Sequence, residues 1–453
     1  MQSLFIRAWN WVIGFRERRK KEAGVKIGRL VVDGSLTNRP AIVPNAQRAQ
    51  HIAILGKTGT GKSSLIRSLI AQDIKAGRGF AVFDIHGDLT PFVLQAIEQE
   101  EKDSERDLSG RVIVADPSNT ERSIGLNVLS GAGDRFTRIA ELTDILRRRF
   151  QLDAFGARTE ELLRNSLLVL AANNLTLLEL TPFLTQSTFR ALCLKRETNA
   201  EVKEYFTDRF ERLSPGGKRM YSEAVLNKVS AFTVDPRFRH IVGQVRSSFD
   251  FAASMDSGKW IVINLDKGSL GLEAVTLGSL FLTQIKSALF VRQRRSLFTL
   301  YCDEVQNLIA YESGLETLLS EARKYAVSVC SASQYLEQYP KEVKAAIMAI
   351  GSHIYFQVSG DDAAYLSRVM LQGASVTNRL VNLPQRRFLY KTLGNDLKEA
   401  EAQDVPQLGT IGKGLYERSQ KRSSEKREEI ERSITKRRLG VPKGSDELLH
   451  NWT

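Results

Sequence analysis

The chain has 453 residues, 42% of them hydrophobic, enough to build a normal core for two or three domains. Its 65 basic and 52 acidic residues leave a formal charge of +13, which favours a polyanionic partner, nucleic acid or an anionic membrane surface. Three widely spaced cysteines, Cys193, Cys302 and Cys330, form no CxxC pair; they exclude a disulfide framework and a zinc site and point to a reducing compartment.

The first apolar run, Leu4 to Phe15, is short and broken by Arg7 and Asn10, whereas about 20 apolar residues are needed to span a bilayer. It has no small-residue cleavage site, which argues against a secretory signal. Trp9, Trp11 and Phe15 are followed by a basic run from Arg16 to Lys21. Two readings stand for residues 1–21: an interfacial anchor on an anionic leaflet, or an amphipathic helix docked on its own domain.

Residues 51–71 carry the strongest signal. His51 to Leu55 is an apolar strand, Gly56-Lys57-Thr58-Gly59-Thr60-Gly61-Lys62-Ser63 is a complete phosphate-binding loop, and Ser64 to Ala71 leaves it as a helix. Gly56, Gly59 and Gly61 let the main chain wrap so that its N–H groups and the helix N-terminus face the phosphates of a nucleoside triphosphate. In this reading Lys62 reaches the β- and γ-phosphates and the Ser63 hydroxyl sits on Mg²⁺.

Further apolar runs follow: 79–85, 111–116, 259–265, 297–302, 327–331 and 353–358. Separated by helical periodicity or turn residues, they predict an α/β fold, a mostly parallel sheet with helices on both faces. Residues 134–245 differ. Arg135–Phe150, Thr159–Ala172, Ala200–Leu213 and Gly217–Phe232 read as helices with no strand between them, an all-α insertion. From Tyr416 to Arg438 the chain is dense in Arg, Lys, Glu and Ser, and reads as an exposed charged helix or a disordered tail broken at 439–442.

Strand 297–302 ends in Asp303-Glu304. An acid there holds Mg²⁺ through water and its neighbour polarises the attacking water, an arrangement suited to hydrolysis. Gln334 follows the next strand and reaches the same sheet edge, where it is placed to sense the γ-phosphate or to position water. Arg323, at the end of a helix expected from Glu312 to Tyr325, falls on the far side of the sheet. It reads as a finger serving a neighbouring subunit or as a cation capping its own helix. Arg147 to Arg149, Arg292 with Arg294 and Arg295, and Arg386 with Arg387 are the candidate contacts to a DNA backbone.

Three of these segments, 299–308 (TLYCDEVQNL), 319–325 (LSEARKY) and 333–336 (SQYL), resemble the second-half signature of the HerA–FtsK superfamily. Within it, the chain is most similar to the coupling ATPases of type IV secretion and conjugation. Residues 83–89 (FDIHGDL) resemble the family's DPHGDL motif, with Ile85 in place of proline; 114–118, 124–127 and 258–268 also fit. The resemblance spans about residues 40 to 415. It implies a RecA-like P-loop ATPase core with an inserted all-α domain, ATP and Mg²⁺ as cofactors, a homo-hexameric ring, and DNA moved through its channel. It also implies that Lys62 is the phosphate lysine, Asp303 and Glu304 the metal and catalytic acids, Gln334 the sensor and Arg323 the trans finger. Asp84 falls near the metal, and His86 receives no role.

The expected organisation is an amphipathic, basic segment at 1–39, an ATPase core in two parts at 40–133 and 246–415, the helical insertion at 134–245 and a charged tail at 416–453. Secretion coupling proteins usually begin with two membrane-spanning helices; none is legible here, so the expectation is a cytoplasmic protein, soluble or peripheral at the inner face of the membrane. The expected activity is that of a DNA-translocating ATPase delivering DNA or nucleoprotein to a transfer apparatus. Two alternatives stay open: a HerA-like motor working beside a nuclease in end processing, and a nucleotide-switched protein that recruits secretion substrates.

Overall fold

Seven apolar runs of the sequence become seven adjacent parallel strands in the computed structural model, which describes residues 24–150, 156–308, 315–405, 408 and 414–439. Strands β1 (Val25–Val32) and β2 (Ser35–Val43) precede β3 (Ile52–Leu55), β4 (Gly79–Asp84) and β5 (Val112–Ala115). After the short β6 (Arg122–Ser123) come β7 (Trp260–Asn264), β8 (Phe298–Cys302), β9 (Val327–Ser333) and β10 (Ser352–Tyr355), then β11 (Arg387–Thr392), β12 (Lys398–Glu401) and β13 (Glu425–Lys426). The main sheet runs β2-β1-β12-β11-β10-β3-β9-β8-β4-β7-β5, parallel from β10 to β5 and antiparallel in the other wing.

The parallel strands read as continuous apolar runs because both their faces are covered. In β4, Phe80 and Val82 pack with Ile66, Leu69 and Val93 of helices Lys62–Lys75 and Leu89–Ser104. Ala81 and Phe83 join Leu277 and Phe281 of helix Leu272–Leu289 on the other face. Burying a side chain such as Phe83 contributes roughly 1.5–3 kcal/mol. Cys193, Cys302 and Cys330 are free and buried, and burial pushes their thiols up.

The antiparallel wing corrects the expected start of the core. Residues 25–43 are sheet strands, not a segment apart, and a boundary at residue 40 cuts through β2. The proposed membrane contact at residues 1–21 lies outside the described residues. Among those described, no helix is long and apolar enough to cross a membrane.

Between β6 and β7, helices Arg135–Phe150, Ala157–Ala172, Leu180–Thr185, Ser187–Arg196, Ala200–Glu204, Pro215–Val234 and Pro236–Val242 occur with no strand among the described residues. The last two begin on Ser214-Pro215 and Asp235-Pro236. Each cap side chain accepts a main-chain N–H, from Gly217 and Arg237, and each proline occupies the first turn, where a missing N–H costs nothing. Phe183, Phe206 and Phe210 meet edge to face in a core continuous with Ala81 and Phe83 of the sheet.

Under the other face, Arg48 is buried and forks onto Asp73, at 2.9 Å to Oδ1 and 2.6 Å to Oδ2. Arg78 and the Tyr301 hydroxyl also bind Asp73, pinning helix Lys62–Lys75 to β8. Burial pushes the Asp73 carboxyl up, but the two guanidiniums outweigh it and hold it below the usual range. Its contribution to stability is therefore full above the unfolded carboxylate value of about 3.9 and is lost as pH falls through the depressed folded value. Arg48→Met is expected to destabilise the protein by about 3 kcal/mol, read from denaturant midpoints at pH 7, because it removes the two-pronged partner of a buried carboxylate and leaves Arg78 as its one guanidinium. That penalty should shrink as the pH is lowered toward the folded value.

The charged tail is neither an exposed helix nor disorder over its described part. Helix Gly414–Ser423 covers the open edge of β5, where Ser419 Oγ and Gln420 Nε2 donate to the Val112 and Val114 carbonyls, both at 2.9 Å. After β13 pairs with β6, helix Arg427–Leu439 reaches the helical insertion. Ile430 and Ile434 bury against Leu178, Arg437 meets Glu179 at 3.1 Å, and Glu431 meets Arg239 and His240 at 3.0 Å. The tail is a strap joining sheet edge to insertion. Residues 440–442, the expected break, lie outside the described residues.

Candidate nucleotide and catalytic site

All parallel strands deliver their C-terminal ends to one edge, so the residues just beyond β3, β4, β8, β9 and β10 meet there. Gly56 N–H binds the Ser333 carbonyl at 3.2 Å and Lys57 N–H binds the Gln357 carbonyl at 2.8 Å, stitching the phosphate loop between β9 and β10. Gly61, at φ +118°, is followed directly by the helix. A side chain there would be strained and would press on Phe356.

Lys62 is buried, and its Nζ donates to the loop's own carbonyls, Gly56 at 2.7 Å and Lys57 at 3.0 Å. Burial lowers its pKa, while Asp303 and Glu304 pull it back up. The Ser63 hydroxyl donates to Asp303 Oδ2 at 2.8 Å. Burial raises the Asp303 pKa, against the lowering effect of Ser63 and Lys62. Glu304, at φ +54°, is held at Oε1 by Gln334 Nε2 at 2.6 Å and at Oε2 by Asn307 Nδ2 at 3.1 Å. Loop, Lys62, Ser63, Asp303, Glu304 and Gln334 thus converge, as the sequence reading expects.

Arg323 stands apart. It lies in the 3₁₀ turn Ala322–Tyr325 that leads into the start of β9, while Gln334 follows its end; seven strand residues span roughly 23 Å. Its side chain is exposed and, among the described residues, makes no hydrogen bond or ion pair, while its carbonyl accepts the Ala326 N–H at 3.1 Å. Arg323 lines a recess of about 340 Å³ with His51, Leu319 and Ile350. His51 braces that turn. Its Nδ1 accepts the Val329 N–H at 2.9 Å, so Nε2 carries the proton donated to the Leu319 carbonyl at 2.7 Å. Burial lowers its pKa to about 4, which keeps it neutral.

Asp84 and the basic clusters are also placed, and Arg292 needs correction. Both oxygens of Asp84 accept main-chain N–H groups, from Gly87 and Thr90 at 2.9 and 2.7 Å, so it organises the turn after β4. Arg292 is buried on Asp256 and the Tyr325 carbonyl and cannot reach a DNA phosphate. The others remain candidates: Arg147 and Arg148 pair with Asp144, Arg149 with Glu273, and Arg387 with Glu399 and Glu401, while Arg294 and Arg295 are exposed. Arg386 belongs behind the phosphate loop: its N–H binds the Thr60 carbonyl at 2.9 Å, beside Gln385 Nε2 on the Gly59 carbonyl at 2.9 Å. Asn307 reaches Glu304 from three residues along its own segment, whereas no local pattern marks Gln385 or Arg386 as site residues and sheet order brings them in.

No curated protein sequence matches the chain. Among solved structures, the bacterial conjugative coupling protein TrwBdeltaN70 is similar with a TM-score of 0.54 at 16% identity, covering 86% of this chain and 91% of that one. The plasmid coupling protein TrwB in complex with ADP and Mg²⁺ gives the same score and identity, over 86% and 92%. VirB4 of Thermoanaerobacter pseudethanolicus aligns with a TM-score of 0.52 at 16% identity, over 85% and 97%. These likenesses establish the RecA-like fold. The family described as helicase HerA, central domain, matches residues 25–285, more than half of the sequence. By that match the chain belongs to the HerA central-domain family of P-loop ATPases.

Proposed function

We propose that the chain is an ATP-driven DNA motor of the coupling type, which hydrolyses ATP in a hexameric ring to move or deliver DNA. The observation that carries the hydrolytic part is the convergence of Glu304, fastened by Gln334, on the phosphate loop beside the Ser63–Asp303 pair. The family relation to helicase HerA, the coupling-protein identity of the structural neighbours and the charge of +13 support the DNA part. The TrwB complex with ADP and Mg²⁺ supports ATP and Mg²⁺ as the cofactors.

The residues divide the work. The loop's main-chain N–H groups, with Ser64 in the first helical turn, receive the phosphates. Lys62 exchanges the Gly56 and Lys57 carbonyls for the β- and γ-phosphate oxygens. Ser63 and Asp303 offer the hard oxygen donors that suit Mg²⁺, alongside phosphate and water. The ion, when bound, offsets charge on the phosphates. Glu304 takes the proton of the water that attacks the γ-phosphate, and Gln334 keeps the carboxylate and that water in register. Arg323 serves the site of the neighbouring subunit.

The test is steady-state ATP hydrolysis with single- and double-stranded DNA at several protein concentrations. A DNA-stimulated rate that rises cooperatively with concentration is expected, falling roughly 100-fold or more in Lys62→Ala. A flat rate indifferent to DNA would leave only the nucleotide-switched recruitment protein. Copurification with a nuclease would assign the motor to end processing.

A further inference from the structure

The bonds from Asp84 do more than cap a helix. With Gly87 and Thr90 N–H on its carboxylate, Gly87 at φ +79° and Lys267 N–H on the Ile85 carbonyl at 2.8 Å, residues 85–88 are folded into a tied turn. Strands β4 and β8 are neighbours, with Phe83 opposite Cys302, so the turn beyond β4 stands beside Asp303-Glu304 beyond β8. It carries His86 to the catalytic acid: Nε2 lies 3.1 Å from Glu304 Oε2. Glu304 is thus approached from three separate chain segments, by His86 after β4, by Asn307 on its own side and by Gln334 after β9.

We propose that His86 is a positioning residue for Glu304. Its imidazole edge beside Oε2, together with the Asn307 amide on Oε2 and the Gln334 amide on Oε1, limits the rotation of the carboxylate and keeps it turned toward the water that attacks the γ-phosphate. This rests on the hydrolytic reading above. Glu304 needs such restraint, because a residue other than glycine at φ +54° is held in a conformation that costs about 1–2 kcal/mol. The His86 side chain is 55% exposed, so it contributes little to the core, and its removal tests alignment more than folding.

The experiment compares full-length wild type, His86→Ala, His86→Gln, Glu304→Gln and the double variant His86→Ala/Glu304→Gln. Phosphate release at saturating MgATP gives kcat, and titration with a fluorescent ATP analogue gives affinity. His86→Ala should lower kcat roughly 10–100-fold with KM and nucleotide affinity within about 2-fold of wild type. His86→Gln, whose amide nitrogen falls near the place of Nε2, should keep kcat within about 3-fold, and His86→Ala should add no loss to Glu304→Gln. A wild-type kcat in His86→Ala overturns the proposal. So does a loss that adds fully to that of Glu304→Gln, or a parallel fall in affinity, and in each case the ATPase reading survives. A wild-type protein that hydrolyses no ATP removes that reading, and the role of His86 falls with it.

Discussion

Replacing Arg323 with alanine is expected to lower kcat by ~10³–10⁵, the range an arginine finger supplies, and the lost activity should return when that variant is mixed with Lys62→Ala. The length of β9 keeps Arg323 on the sheet edge opposite its own phosphate loop. A site it serves must therefore belong to another copy. In a mixed ring, an Arg323→Ala subunit contributes an intact Lys62 and its Lys62→Ala neighbour an intact Arg323, so a share of the interfaces is complete. Phosphate release against mixing ratio should peak between the pure variants, both near baseline. A mixture that stays at baseline would assign Arg323 to its own subunit's structure. Because His51 braces the turn and stays neutral, this recovery should not vary between pH 6 and 8 through that histidine.

Glu304→Gln should lower kcat by roughly 10²–10⁴ while MgATP still binds. The substitution keeps the shape of the side chain, and the phosphate loop, Lys62 and the Ser63–Asp303 pair are untouched. Binding and chemistry should therefore separate: a fluorescent ATP analogue should titrate as in wild type, and a filter-bound complex should retain ATP instead of ADP. Lys62→Ala should show the opposite pattern, with affinity itself reduced. Equal loss of binding in both would mean that Glu304 shapes the pocket and does not act on water.

The parts of this molecule legible in its sequence are those where one local pattern carries the whole signal. Parallel strands covered on both faces advertise themselves as apolar runs, and all seven are readable. The antiparallel wing is silent by comparison. In β12, Lys398 to Glu401, only Ala400 is buried, and β2 holds Pro40 among mostly exposed residues. Their pairing partners lie far away in sequence. The phosphate loop and Asp303-Glu304 are readable because spacing alone implies their chemistry. His86 is not, since its meeting with Glu304 depends on β4 lying next to β8. Arg292 misleads for a related reason: charge shows in a sequence, whereas Asp256, the acid that satisfies it, comes from another element. The strap does leave one trace, Ile430 and Ile434 four residues apart in a charged helix, the spacing of a single buried face.

The wing also sets a timetable. Arg29 of β1 pairs with Glu401 of β12, so about 370 residues must be made between the two partners, roughly 20–70 s of synthesis at ordinary rates. Until then β1 and β2 are a two-stranded ribbon with the β12 edge of β1 unpaired, a structure of marginal stability alone. Gln385 and Arg386, which hold the phosphate loop from behind, arrive in the same late stretch. An unfinished chain on the ribosome therefore contains every residue from Gly56 to Ser63 but not the brace that shapes them, and the earliest motif in the sequence is among the last to become a site.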